Sequence, residues 1–251
     1  MSEPKAVGKA RGLPARLSAF HPKLTPAVSA LADIVTNRSR SRHEPALGEL
    51  QPLMDKELLQ TAEARLINVD DRARRLFEPY ADSGPVRALD LFSKLGDQPE
   101  LRLIAGSLLA IGTFAGNDRM VRAGARMLVA HEAATAVKDL VKTNIDRTRP
   151  RSADNGHAKK PKKGDHTAKE KTSFPSGHSA GAIAAARAFS REFPEYGGAA
   201  IAGAALIAAS QVPRCAHYPT DVAAGVVIGL VIEEMTNAAW NAAVMDERSV
   251  E

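Results

Sequence analysis

Three short groups of residues in this chain combine the side-chain types that phosphoryl transfer needs. In order they are Lys142-x6-Arg149-Pro150, Pro175-Ser176-Gly177-His178 and Ser210-Gln211-x5-His217-x3-Asp221. Average composition would produce the middle tetrapeptide in roughly one chain per thousand of this length, the first group in about a few per cent and an H-x3-D in about a quarter. Singly each is modest evidence. Their ordered coincidence carries the argument.

A phosphoryl group in flight spreads negative charge over its equatorial oxygens, so fixed cations and backbone amides stabilise it without a metal. Lys142 and Arg149 supply such cations; either one alone would be accounted for by favourable charge at a helix C-terminus. Ser176 stands where a helix cap belongs, ahead of an Ala-rich run. The amides of Gly177 and His178 then point out of a positive helix end that suits an anion. Gly177 adds no side chain to obstruct a ligand, and His178 in the first turn can face the same ligand. A Ser-Gly pair before a helix is about as often a cap and nothing more. His217 and Asp221 are four apart, which stacks them on one face if the turn is helical. The carboxylate would then hold one imidazole nitrogen and leave the other free to attack, as a nucleophilic or basic His requires. Taken alone, the pair reads more simply as a capping Asp beside a surface His.

The elements that must position these residues are helical throughout. Punctuation by Gly, Pro, Asp and Asn predicts segments near Asp55–Ile67, Asp70–Tyr80, Pro85–Leu95 and Pro99–Phe114, and no stretch shows sustained strand alternation. From Arg119 to Val141, apolar Val121, Ala125, Leu128, Val129, Ala133, Val137 and Leu140 recur at three- and four-residue steps. That spacing predicts an amphipathic helix closed by Lys142. Pro150 pushes Arg149 out of helical geometry into an extended segment. Three Ala/Gly-rich helices follow, near Gly177–Phe193, Tyr196–Gln211 and Thr220–Ala239, and Gly225 with Gly229 allows close helix contact. Between the first two motifs, residues 151–173 hold six lysines among Gly, Pro, Asp and His and read as a long, solvated, basic loop.

The 251 residues are 44% hydrophobic, 25% charged and 4% aromatic, with a formal net charge of +5, the profile of an ordinary folded protein. Cys215 is the one cysteine, which excludes an intramolecular disulfide framework and a cysteine-rich zinc site. No metal site is expected: His157 and His166 in the loop match no ligand spacing. His131 and Trp240 read as packing or surface residues. Residues 1–45 are expected to form a basic, partly flexible tail with one helix over Ala27–Val35 behind Thr25-Pro26, and residues 46–245 the helical domain. The amino terminus shows no continuous apolar core of a secretory signal. The most apolar stretches, Leu103–Phe114, Ala199–Ala209 and Val222–Ile232, fall short of the roughly 18 to 20 residues that span a bilayer. They read as buried Ala-rich helices, with a short-helix membrane protein as the alternative.

On the three motifs the chain resembles the type 2 phosphatidic acid phosphatase and vanadium haloperoxidase superfamily, whose signature is K-x6-R-P, P-S-G-H and S-R-x5-H-x3-D. Every specified position but one matches, and with flanking helices the resemblance spans about residues 83–240. It implies an all-α helical bundle with the pocket among the helix ends. It implies His217 as the nucleophile that becomes phosphohistidine, Asp221 as its orienting carboxylate and His178 as the general acid. Lys142, Arg149, Ser176 and Gly177 would hold the phosphate. Water would then hydrolyse the intermediate, with His178 returning as base. The departure is Gln211, where the family has arginine, so the clamp loses one charge-assisted contact. Arg214 follows three residues later, a spacing that on a continuing helical turn aims its guanidinium into the same pocket, and it is the expected replacement.

The leading expectation is therefore a metal-independent phosphatase that uses no cofactor and takes small-molecule or lipid phosphomonoesters. The Lys-rich loop would steer anionic substrates or an anionic membrane surface, with a merely solvated loop the equal alternative. Vanadate would inhibit such an enzyme. In a haloperoxidase the same cradle would hold vanadate as cofactor, a reading that low aromatic content and modest size disfavour. A third possibility is a catalytically weakened protein that binds membranes or polyanions through its basic tail and loop, with nucleic acid the less favoured partner. The resemblance favours membrane association and hydropathy a cytoplasmic location, since family members include both integral membrane lipid phosphatases and soluble acid phosphatases. Neither substrate identity nor oligomeric state is written in the sequence.

Overall fold

The helical punctuation becomes seven α-helices among the described residues of the computed structural model, which are 56–153 and 158–250. The expected tail over 1–45, its helix and His157 lie outside them. The chain divides into two units, Glu49–Asn237 and Met1–Gly48 with Ala238–Glu251, and every functional residue below belongs to the former.

The helices are α1 (Lys56–Phe77), α2 (Gly84–Ser93), α3 (Gln98–Phe114), α4 (Asp118–Lys142), α5 (Gly177–Glu192), α6 (Pro194–Ser210) and α7 (Pro219–Val250). Prolines open α2, α3 and α6, where a missing amide hydrogen costs nothing. Asn117 caps α4 by accepting from the Met120 amide at 3.1 Å. Helix α1 runs unbroken where the sequence suggested two segments parted near Asn68–Asp71. The reason is tertiary: the carboxylates of Asp70 and Asp71 accept from Thr220 and from the amide of Ala158, so they do not compete with the local backbone.

Helix α5 is central, packed between α4 and α6, and α4 also packs on α3. Its buried face is mostly alanine: Ala182, Ala184, Ala185 and Ala188 meet Ala130, Ala134 and Ala204, with Leu101, Met127, Ile183 and Ile207 filling the remaining space. Small side chains let helix axes approach closely, and α7 takes this furthest. A Cβ at Gly229 would stand 2.6 Å from the Ala180 carbonyl, and one at Gly225 would meet the Ser176 carbonyl. Overpacking of that kind costs about 1–3 kcal/mol. The close crossing brings the starts of α5 and α7 together, and those starts carry the second and third motifs. His131 is buried in α4 and is a core residue.

Two-residue strands β1 (Ile145–Asp146) and β2 (Lys162–Lys163) pair antiparallel after α4. The Lys-rich loop is thus tethered, not merely solvated. Its lysine side chains face water while its backbone carbonyls turn inward, as the site shows. Helix α7 is, among the described residues, one helix long and apolar enough over Pro219–Met245 to cross a membrane.

Candidate active site

Four helix ends converge. The chain enters α5 through Ser176, whose hydroxyl accepts from the Ser179 amide at 3.4 Å and whose own amide donates to the Asp221 carbonyl at 3.0 Å. The cap expected from sequence is present, and it is tied to the start of α7. A Cβ on Gly177 would lie 3.0 Å from Cδ of Lys138, so the glycine admits a lysine side chain from α4 against the first turn of α5. Lys138 is buried and pairs with Asp139 at 2.5 Å. One turn on, Lys142 donates from Nζ to the Thr172 carbonyl at 2.8 Å. Burial, followed by the nearby charges of Arg149 and Lys138, holds the Lys142 ammonium down at about 7. An arriving anion would relieve that repulsion.

His217 is 3% exposed. Its Nδ1 lies 2.7 Å from the backbone carbonyl of Ser173, which can only accept, so Nδ1 carries the proton and Nε2 keeps its lone pair. Asp221 sits 3.7 Å from Nδ1, beyond hydrogen-bond reach, and acts on the ring by charge. This corrects the expected direct bond. Ser173 bridges the two, its carbonyl holding the imidazole while its hydroxyl donates to Asp221 Oδ2. The same carboxylate accepts from the Tyr218 amide at 2.9 Å, so it also serves as a cap. Burial pushes His217 down to about 4, against the pull of Asp221 and reinforced by Arg149 and Lys142.

Behind Asp221 lies a cation that sequence reading passed over. Arg147 donates from Nη1 to Asp221 at 2.5 Å and to Thr220 at 2.7 Å, from Nη2 to Asp70 of α1 at 2.6 Å, and from Nε to the Lys159 carbonyl at 2.7 Å. Its guanidinium stacks 4.2 Å from the Tyr218 ring centroid. Arg147 and both carboxylates are about 1% exposed or less. A buried charge pair of this kind is tolerable only when its hydrogen bonds are met on every side.

Arg149 is extended, as Pro150 requires. It donates to the carbonyls of Lys169 at 2.7 Å and Ala216 at 3.0 Å, and its Nη1 stands 3.4 Å from His217 Nε2. A cation thus faces the nitrogen that bears the lone pair. Arg149 and Arg214 line one cavity of about 350 Å³. Gln211, at the family's arginine position, is buried and accepts from Arg214 Nη1 at 3.1 Å through Oε1. Arg214 also donates to Ser93 and pairs with Asp90 of α2. The chain then turns sharply through Cys215 at φ 51°, a left-handed conformation that non-glycine residues rarely adopt.

His178, in the first turn of α5, places Nε2 2.7 Å from Oδ1 of Asp97. Burial pushes its imidazole below the ordinary value of 6.5, while Asp97 raises it and Arg214 and Arg149 lower it.

The structure therefore brings Lys142, Arg149, Ser176, Gly177, His178, Arg214, His217 and Asp221 to one end of the bundle. It adds Asp70, Asp97, Lys138, Arg147 and Ser173, none of which stands at a specified position of the three motifs. Arg147 lies two residues before Arg149, close enough to have drawn notice; the others carried no local signal. Among the described residues, no group of three His, Cys, Asp or Glu is placed to hold a metal ion. His166 is hydrogen-bonded to Asp146.

The PAP2 superfamily model matches residues 123–243, which include all three motifs. The match supports a phosphatase-like or related activity in general. No curated protein and no solved structure matches the chain. The motifs, the helical fold and this match together make the segment 123–243 similar to the PAP2 superfamily.

Proposed function

We propose that the protein is a phosphatase that hydrolyses phosphomonoesters through a phosphohistidine on His217, without a resident metal. One observation carries this reading: Nδ1 of His217 is committed to a backbone carbonyl, so Nε2 bears the lone pair beside Arg149. Lys142, Arg149, Arg214 and the first amides of α5 gather the phosphoryl oxygens. As the bond from Nε2 to phosphorus forms, the ester bond breaks and His178 gives its proton to the leaving oxygen. Water then attacks phosphorus, its proton passes to His178, and the bond to Nε2 breaks to release phosphate.

The test is hydrolysis of p-nitrophenyl phosphate with a chelator present. Turnover that resists chelator, is inhibited by vanadate and leaves acid-labile phosphate on wild type but not on His217→Gln supports the reading. Absence of turnover, with salt-sensitive binding to polyanions, would replace it with the weakened binding protein.

The substrate class extends to lipid phosphates at a membrane surface. Apolar Leu103, Ile111, Phe114, Ile201, Val227 and Val231 are exposed on α3, α6 and α7, with Phe114 93% exposed. Large apolar side chains turned outward on three helices favour a lipid environment. Exposed lysines of the loop, such as Lys162 and Lys163, flank the catalytic end and suit anionic headgroups. Membrane fractionation, and sedimentation with phosphatidylserine vesicles against phosphatidylcholine vesicles, test this part. Protein that stays in the supernatant with both lipids would restrict the substrates to soluble esters.

A further inference from the structure

Asp97 begins α3 with the backbone geometry of a helix cap, φ −68° and ψ 152°, and its carbonyl accepts from the Leu101 amide at 3.0 Å. An aspartate in that place ordinarily turns its carboxylate onto the exposed amides of the first turn, a bond worth about 1 kcal/mol. Here the side chain makes no such bond. It reaches instead across the corner to Nε2 of His178, at 2.7 Å. The corner is built to allow this. A Cβ on Gly96 would meet Cγ2 of Ile207 at 2.5 Å and Cδ2 of His178 at 3.5 Å, so a larger residue would lift the α2–α3 corner away from α6 and from the histidine. Asp97 lies before residue 123, outside the part of the chain that the family match covers.

We propose that Asp97 is the positioning residue of the general acid: it grips His178 by Nε2, favours the imidazolium, and leaves Nδ1 to hand its proton to the leaving oxygen. This rests on the reading of His178 as proton donor. The charged groups facing His178 are Asp97 from the corner, Arg149 from the segment after α4 and Arg214 from the turn after α6. The two arginines and burial all favour the neutral ring, and Asp97 alone opposes them. A neutral His178 has no second proton to give while Nε2–H remains bonded to the carboxylate. In the protonated state, Nδ1–H transfers to the ester oxygen as the P–O bond breaks, and the neutral ring stays on Asp97.

The experiment compares two esters. p-Nitrophenolate leaves without a proton, whereas an alkoxide does not. In Asp97→Asn, kcat/KM for an alkyl phosphate is expected to fall about 30- to 100-fold, with p-nitrophenyl phosphate changed by less than about threefold. The alkaline limb of the alkyl phosphate profile should move down by about one pH unit. Asp97→Glu keeps the charge and should recover most of the loss. NMR titration of the His178 ring in both proteins reads its protonation without turnover, and thermal melts show that the variants fold. Equal losses on both esters with an unmoved limb, in an active folded enzyme, would overturn the role of Asp97 alone. A wild type inert toward both esters would overturn the phosphatase reading and with it the catalytic use of the pair.

Discussion

The two ends of the helix bundle use the same residue types under opposite conditions. At the end away from the site, Arg119 pairs with Glu195 at 2.6 Å, and both side chains are more than 40% exposed. At the catalytic end, Arg147 bridges Asp70 and Asp221 in almost complete burial. Exposed pairs contribute roughly 0.2–1 kcal/mol because water competes for each partner. Buried charges carry a desolvation penalty that apolar residues of similar volume would avoid. A bundle selected for stability alone would have no use for the second arrangement. Its value is positional: it fixes the carboxylate that faces His217.

Removing His217, the proposed nucleophile, is the sharpest test of that contrast. His217→Gln is expected to reduce turnover by about 10⁴-fold or more, as loss of a covalent catalytic residue does. It should also change how stability responds to acid. The ring titrates near 4 in the folded chain against 6.5 as its ordinary value. Above 6.5 neither state binds the extra proton and the group contributes no pH dependence. As pH falls from 6.5 to about 4 the unfolded chain takes up the proton first, so stability is lost across that window by about 3 kcal/mol. Denaturant unfolding at pH 7 and pH 4.5 should show this slope in wild type and a shallower one in His217→Gln, where the buried rings of His178 and His131 still contribute. The same slope in both would mean that the imidazole is not sealed as described.

Next in size is Arg214. Arg214→Ala is expected to depress kcat by about 10²-fold, and Arg214→Lys to recover little of it, because a point charge does not reproduce a planar fork. Near-normal turnover would show that Gln211 marks an unreplaced charge. Arg147→Met should act on stability as well as rate. It leaves Asp70 and Asp221 buried without their cation, at a cost of about 3–5 kcal/mol, or roughly 10 °C in melting temperature. If Arg147→Met proved no worse than loss of a surface arginine, the two ends would not differ as argued.

What could be read from sequence followed the range of the forces involved. Ser176, Gly177, Arg149 and the helix bounds around them were legible because caps and proline geometry act within a few residues. That His178, His217 and Lys142 stand near Arg149 was legible through the coincidence of three motifs. The brace was not, because Asp70 meets Arg147 across 77 positions in sequence. In sequence, Asp70-Asp71 looks like a helix break, and only the tertiary partner removes that reading. Ser173 was hidden for another reason: half its role is a backbone carbonyl, which any residue type supplies. The Lys-rich loop misled in the same way, since composition reports its solvated side chains and is silent about the carbonyls of Lys159, Lys169 and Thr172 that hold three cations of the site.

The pH–rate profile is a smaller effect but joins both histidines. On the proposed mechanism turnover needs His217 unprotonated, which holds above about 4. It needs His178 protonated, and burial sets that limit below 6.5. The kcat/KM profile for an alkyl phosphate should therefore be a bell on the acid side of neutrality, falling on its alkaline limb before Lys142 loses its proton near 7. A plateau reaching pH 8 would show that His178 is not the proton donor.

The smallest expected effect lies at the far end. Glu195→Ala removes the partner of Arg119, whose guanidinium keeps its stacking 4.3 Å from the Phe193 ring centroid and its bond to the Glu192 carbonyl at 2.5 Å. With both charges already in water, no buried ion is orphaned. Chemical denaturation should register little or no change in midpoint, reduced further by salt, with turnover unchanged. A loss approaching that of Arg147→Met would mean that burial is not what separates the two ends, and that the brace behind Asp221 is one more structural tie.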